Sequence, residues 1–322
     1  MFQRIPYNIT LARPGVVISM LSSPLPTAKR RVVDFQIGQM IRTMALLQSP
    51  TSRFGNAASM LPPAPETWNW AQHRPSIRNS SETFTKWSDA FDDMLTSAIQ
   101  DAQANQITAS YDSIRRLQRR FANILDAVVE PRFVLLDAGL DTNVLVSFTS
   151  NSEVQEADSD KASEDKSWSP DERNCTDDEV GSVGGTSNIM VTGVRECTKG
   201  VFGDPLISSV FSWRPSKHLL SGFGTRLADT LEDINDEFET IAKTQRHVQI
   251  RMNLYRIYHA LNAISVEYVR RDEGSDPREL KARKALVESI RELDLLEEHE
   301  TAKRSWTPME AASFKRARTK SP

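Results

Sequence analysis

Two stretches decide the fold of this chain. The first is Phe133-Val134-Leu135-Leu136-Asp137-Ala138-Gly139-Leu140-Asp141-Thr142-Asn143-Val144-Leu145-Val146. The second is Val191-Thr192-Gly193-Val194-Arg195-Glu196-Cys197-Thr198-Lys199-Gly200-Val201-Phe202-Gly203-Asp204-Pro205. In the first, apolar runs at 133–136 and 144–148 flank a short polar loop, which predicts strand, turn, strand. In the second, a strand over 188–194 runs into an acidic turn. Between the two, residues 150–187 hold eleven acidic side chains against three basic ones. Such a segment buries too little apolar surface to offset its ordering entropy, so it is expected to be a disordered acidic insertion. The strands on either side of it then form a hairpin with a greatly enlarged loop.

Outward from this unit the chain is helical. Val33, Ile37, Met40, Ile41, Met44 and Leu47 recur at three-to-four spacing and predict a helix over 27–48, with Thr27 as its cap. Similar patterns predict helices over 82–104, 109–128, 222–243, 245–271 and 277–298, the last opened by Pro277 near its first position. A proline-rich loop over 50–79 carries Arg53-Phe54-Gly55 and Trp68-Asn69-Trp70. Residues 5–21 read as two short extended pieces around a turn at Arg13-Pro14-Gly15. The end of the chain, Lys315-Arg316-Ala317-Arg318-Thr319-Lys320, is basic: a solvated tail, or a nuclear-import or nucleic-acid patch.

Composition narrows the function. The 322 residues carry a net charge of -3, which gives no overall field for capturing nucleic acid or an anionic membrane. Cys175 and Cys197 make no disulfide framework, and with five scattered histidines they show no zinc-ligand spacing. No stretch approaches the roughly 18 apolar residues of a membrane span. A cytoplasmic protein is expected, with a nuclear location open through the tail.

The chemistry lies in the two loops. Phosphoryl transfer needs a carboxylate that orients and deprotonates a hydroxyl, and oxygen ligands for magnesium. The order and spacing of the two stretches resemble the aminoglycoside phosphotransferase / choline kinase-like family, fungal members in particular. That family has a catalytic loop His-x-Asp-x-x-x-x-Asn and a metal loop Gly-x-Ile-Asp-Trp-Glu followed by Phe-Gly-Asp-Pro. Arg53-Phe54-Gly55 and Leu254-Tyr255-Arg256-Ile257-Tyr258-His259-Ala260-Leu261 extend the likeness over about 15–298. The resemblance implies an α+β, mainly helical chain: the C-terminal lobe of a protein-kinase-like fold with a small β-hairpin unit. It divides the chain into a remnant of the N-terminal lobe (1–21), the helical lobe (22–298) and the tail (299–322). The resemblance further implies that the N-terminal ATP lobe is largely missing, since the first 21 residues hold neither a glycine-rich loop nor a lysine. Gly181-Ser182-Val183-Gly184-Gly185-Thr186-Ser187 has glycines but not the Gly-Lys-Ser/Thr ending of a phosphate loop.

By the family pattern, the catalytic base falls at Ala138 counting back from Asn143, or at Gly139 counting forward. Neither is a carboxylate, which leaves Asp137 as the local substitute base. Asn143 and Glu196 are the implied magnesium ligands, Glu196 lying eight residues before Asp204. Arg195 is expected to compete for that carboxylate. The resemblance thus implies ATP, magnesium and a small-molecule hydroxyl acceptor, with catalysis impaired; losing general-base assistance alone costs about 10²–10⁴ in rate. Other readings stay open. The chain could be a pseudokinase-like binding or scaffold protein that meets a protein partner through the acidic insertion or the tail, or an incomplete gene product. Asp137, Asp141 and Asn143 could be turn residues satisfying backbone groups, Asp204 could fix a turn, His259 could be a packed core histidine, and Cys197 a small buried residue.

Overall fold

The computed structural model describes residues 14–60, 83–149, 188–224 and 238–305. The expectations placed on the acidic insertion, on Trp68-Asn69-Trp70, on 181–187, on the basic run at 315–320 and on 225–237 of the fourth helix lie outside those residues.

The fold is α+β and mainly helical, and its strands form two small sheets rather than a single hairpin unit. One sheet has the order β1-β4-β5 (Val16–Val17, Val144–Thr149, Asn188–Val194). The other has the order β2-β6-β3 (Gly55–Asn56, Gly200–Gly203, Arg132–Leu135). All pairings are antiparallel. The expected pairing of β4 with β5 is present, Val144 opposite Val194 and Thr149 opposite Asn188. Its register shifts between Leu145 and Val146, beside Gly193, whose φ of 151° only glycine adopts freely.

This division positions the site. Strands β3 and β4 are consecutive but belong to different sheets, so the loop 136–143 must cross between them. Strands β5 and β6 are also split, so the loop 195–199 makes the same crossing in the opposite sense. The two loops therefore run side by side. Backbone bonds staple them at both ends, Leu136 N–H to Lys199 O at 3.1 Å and Arg195 N–H to Asn143 O at 2.8 Å.

The helices are α1 (Thr27–Met44), α2 (Ala57–Met60), α3 (Trp87–Ala104), α4 (Tyr111–Arg120), α5 (Ala122–Leu125), α6 (Ser209–Ser212), α7 (Lys217–Phe223), α8 (Phe238–Val269) and α9 (Ser275–Ser305). Several boundaries differ from the sequence reading. Thr27 is the first helical residue and makes no side-chain cap; the carbonyl of Pro26 accepts the N–H of Arg30. The helix expected over 109–128 breaks at Phe121, whose φ of -104° and ψ of 14° leave the helical region. Helix α7 stops at Gly224, in the left-handed conformation. Residues 238–243 belong instead to the start of α8, and α9 runs past 298 into the expected tail.

The core has two main parts. The larger packs the apolar faces of α3, α4, α8 and α9 around Trp87, Phe91, Phe121 and Tyr255. The smaller joins α1 and α7 to the first sheet through Val33, Ile37, Val144, Val146 and Phe211. Helices α1 and α7 touch backbone to backbone: a Cβ on Gly38 would lie 2.1 Å from Leu219 O, and one on Gly222 1.9 Å from Phe35 O.

Candidate functional site

The crossing loop 136–143 has little freedom in where it presents a carboxylate. Leu136 and Ala138 are buried. At Gly139 a Cβ would lie 2.6 Å from Val210 Cβ, so no larger side chain fits. Asp141 is turned to α1, where Arg30 grips both its oxygens at 2.8 Å and also holds Asp34 at 2.7 Å. Of the two positions at which the family pattern would put a base, one is buried and the other is closed by Val210. Asp137 is the carboxylate of this loop that lines the neighbouring cleft. Its side chain is 15% exposed, and its Oδ2 lies 3.7 Å from Lys199 Nζ on the other loop.

Asn143 is buried, and both its amide oxygen and its amide nitrogen are hydrogen-bonded. Its Oδ1 accepts the backbone N–H of Glu196 at 2.8 Å. Its Nδ2 donates to Asp137 Oδ1 and to Glu196 O, each at 3.1 Å. Asn143 and Glu196 thus meet as expected, but through the backbone of Glu196. The Glu196 carboxylate is half exposed and bonded to Arg195 at 2.9 Å, the competition the sequence implied. A magnesium ion needs several oxygens aimed at one point. Here the amide oxygen already accepts an N–H and one carboxylate oxygen meets a guanidinium, so an ion at this pair would compete with both partners. Among the described residues no group of three or more His, Cys, Asp or Glu side chains could hold a metal. Cys197 corrects an expectation. It is exposed, because the loop 195–199 passes along the solvent side of the crossing.

The cleft beside Asp137 has a volume of about 960 Å³. Helices α3 and α8 give it Asp93, Asp101, Tyr258 and His259. Its far end holds Glu267, Asp272 and Arg278, with Arg278 binding Glu267 at 2.6 Å and Asp272 at 2.7 Å. Those bonds hold both carboxyls below their ordinary pKa. Five carboxylates thus face two cations, Lys199 and Arg278, and the cleft is net acidic. Burial raises the Tyr258 phenol to about 12 and lowers the His259 imidazole to about 4, so both are neutral at pH 7.

A buried network ties α3 and α8 to the turn at Asp204. The Asp204 side chain accepts Leu206 N–H at 3.1 Å, Tyr255 O–H at 2.7 Å and Arg251 N–H at 2.8 Å. Trp87 Nε1 donates in turn to Tyr255 Oη at 2.7 Å. Desolvation pushes the Tyr255 phenol well above its usual range, so it stays a donor to Asp204. That Asp204, standing before Pro205, fixes a turn could be read from the sequence. The partnership of Trp87, Tyr255 and Arg251 could not, since these residues come together only by packing.

No protein-family model, curated protein or solved structure matches this chain.

Proposed function

We propose that this is an aminoglycoside phosphotransferase-like protein, built on the C-terminal lobe of a protein-kinase-like fold. Its cleft holds a small, positively charged molecule bearing a hydroxyl, and its phosphoryl transfer is impaired. The observation that carries this reading is Asp137. It is a carboxylate on a crossing loop, tied through Asn143 to the second loop and bordering an acidic cleft of about 960 Å³. A hydroxyl resting against Asp137 would meet a hydrogen-bond acceptor of the kind a transfer reaction uses. The surplus of carboxylates favours a cationic acceptor such as an amino sugar. Impairment is inferred from the missing carboxylate at the family's base position and from Asn143 and Glu196, whose oxygens already serve a backbone N–H and Arg195, partners with which magnesium would compete.

Thermal stabilisation by ATP, with and without magnesium, tests this in wild type and in the Asn143→Ala and Glu196→Ala variants. The expected result is no magnesium-dependent increment in wild type. A large increment that both variants lose would mean an assembled metal site and would contradict impairment.

The Arg195–Glu196 ion pair favours a second reading: a catalytically inactive, pseudokinase-like binding protein. The acidic insertion and the basic tail would then be its protein-contacting segments. Mass-spectrometric detection of phosphorylated glucosamine after prolonged incubation with ATP and magnesium separates the two. Slow turnover that Asp137→Asn abolishes favours the impaired enzyme, and none favours the binding protein.

A further inference from the structure

His259 lies on α8, buried, and lines the cleft. Its Nε2 sits 2.6 Å from the carbonyl oxygen of Ile207. A carbonyl only accepts, so Nε2 carries the proton, and in the neutral ring Nδ1 is a bare lone pair. Nδ1 has no hydrogen-bond partner among the described residues, and it is not among their unpartnered atoms sealed from solvent. The ring's direction is set by its bond to Ile207. Ile207 ends the turn that Asp204 fixes, with Ile207 N–H bonded to Asp204 O at 3.0 Å. The imidazole is therefore held by one nitrogen and offers the other.

We infer that His259 is a specificity residue of the cleft: its Nδ1 accepts a hydrogen bond from a hydroxyl or ammonium group of the bound molecule. This rests on the cleft being the ligand site of the proposed function. A histidine that served the core alone would leave an acceptor unused at the edge of a polar cavity. A ligand that displaces water from Nδ1 without supplying a donor leaves that nitrogen unpaired, which disfavours its binding by about tenfold.

Two variants separate the nitrogens. In His259→Gln the amide N–H reaches as far as Nε2 and keeps the bond to Ile207, with no acceptor at the place of Nδ1. In His259→Asn the amide oxygen takes the place of Nδ1 and the bond to Ile207 is lost. Glucosamine is titrated into the full chain by calorimetry, and melting temperatures are recorded alongside. The glutamine variant is expected to melt like wild type and bind about tenfold more weakly. The asparagine variant is expected to melt lower and to bind within about threefold of wild type. Equal binding by wild type and His259→Gln overturns the role of His259; if Asp137→Asn still weakens binding, the proposed function survives. No binding to wild type removes both. Should the glutamine variant not fold, histidine ¹⁵N spectra of wild type decide. An Nδ1 signal that moves toward the hydrogen-bonded range on adding glucosamine supports the inference, and an unmoved or protonated Nδ1 overturns it.

Discussion

The side-chain oxygen of Asn143 accepts the backbone N–H of Glu196 at 2.8 Å, and Asn143 Nδ2 donates back to the Glu196 carbonyl at 3.1 Å. This two-way clasp joins the loops that cross between the sheets. It gives a residue that resembles a metal ligand a structural role, and a cation at its side-chain oxygen would share that oxygen with the backbone N–H. Asn143→Ala would leave the Glu196 N–H and the Asp137 carboxylate short of partners. The expected loss is about 2–3 kcal/mol by chemical denaturation. A loss within 0.5 kcal/mol, taken as about the scatter of a neutral surface change, would mean that the clasp contributes nothing.

The buried pair Asp204–Arg251 should be costlier to break. Both side chains are largely enclosed, and Asp204→Ala leaves a guanidinium without its partner. A destabilisation of about 3–5 kcal/mol is expected, against about 1–3 kcal/mol for Tyr255→Phe, which removes a neutral donor to Asp204 and leaves the Trp87 N–H without its acceptor. Urea denaturation of both variants and of the double variant checks this. The coupling between the sites should exceed 0.5 kcal/mol, roughly the lower bound for residues in direct contact.

The α1–α7 crossing predicts intolerance to the smallest side-chain addition. Gly38→Ala and Gly222→Ala each force the two helix backbones apart, at a cost of about 1–3 kcal/mol. The two costs should not add, because the first alanine already widens the gap that the second needs. Melting temperatures of the two single variants and the double variant test this.

His259 makes stability depend on pH. Its pKa falls from an ordinary 6.5 to about 4 in the folded chain, chiefly through burial, with Lys199 adding to the effect. The folded state therefore binds fewer protons than the unfolded state between these values. Stability from this group is complete above pH 6.5 and is lost as pH falls toward 4, by about 3 kcal/mol in all. His259→Gln should flatten the slope of unfolding free energy against pH in that window. An unchanged slope would place its origin elsewhere.

The helical frame was legible because periodicity is local. Val33, Ile37 and Ile41 announce the buried face of α1, and the β4–β5 pairing follows from two β-branched runs either side of a polar insertion. The second sheet was not legible. Its strands at 55–56 and 200–203 are too short for alternation to show, and Gly200-Val201-Phe202-Gly203 reads first as a motif. Spacing brought Asn143 and Glu196 to the same place, but it carries no information on which way a carboxylate turns once Arg195 stands beside it. The tautomer of His259 depends on Ile207, a contact 52 residues away in sequence that only the packed fold supplies.

The account stands or falls with the cleft beside Asp137. Calorimetric titration of glucosamine, with glucose as the uncharged control, into wild type and Asp137→Asn tests it most directly. Saturable binding of glucosamine, weaker binding of glucose and a loss of about tenfold in the variant are predicted. Equal binding of both sugars, or binding that ignores Asp137, would contradict it.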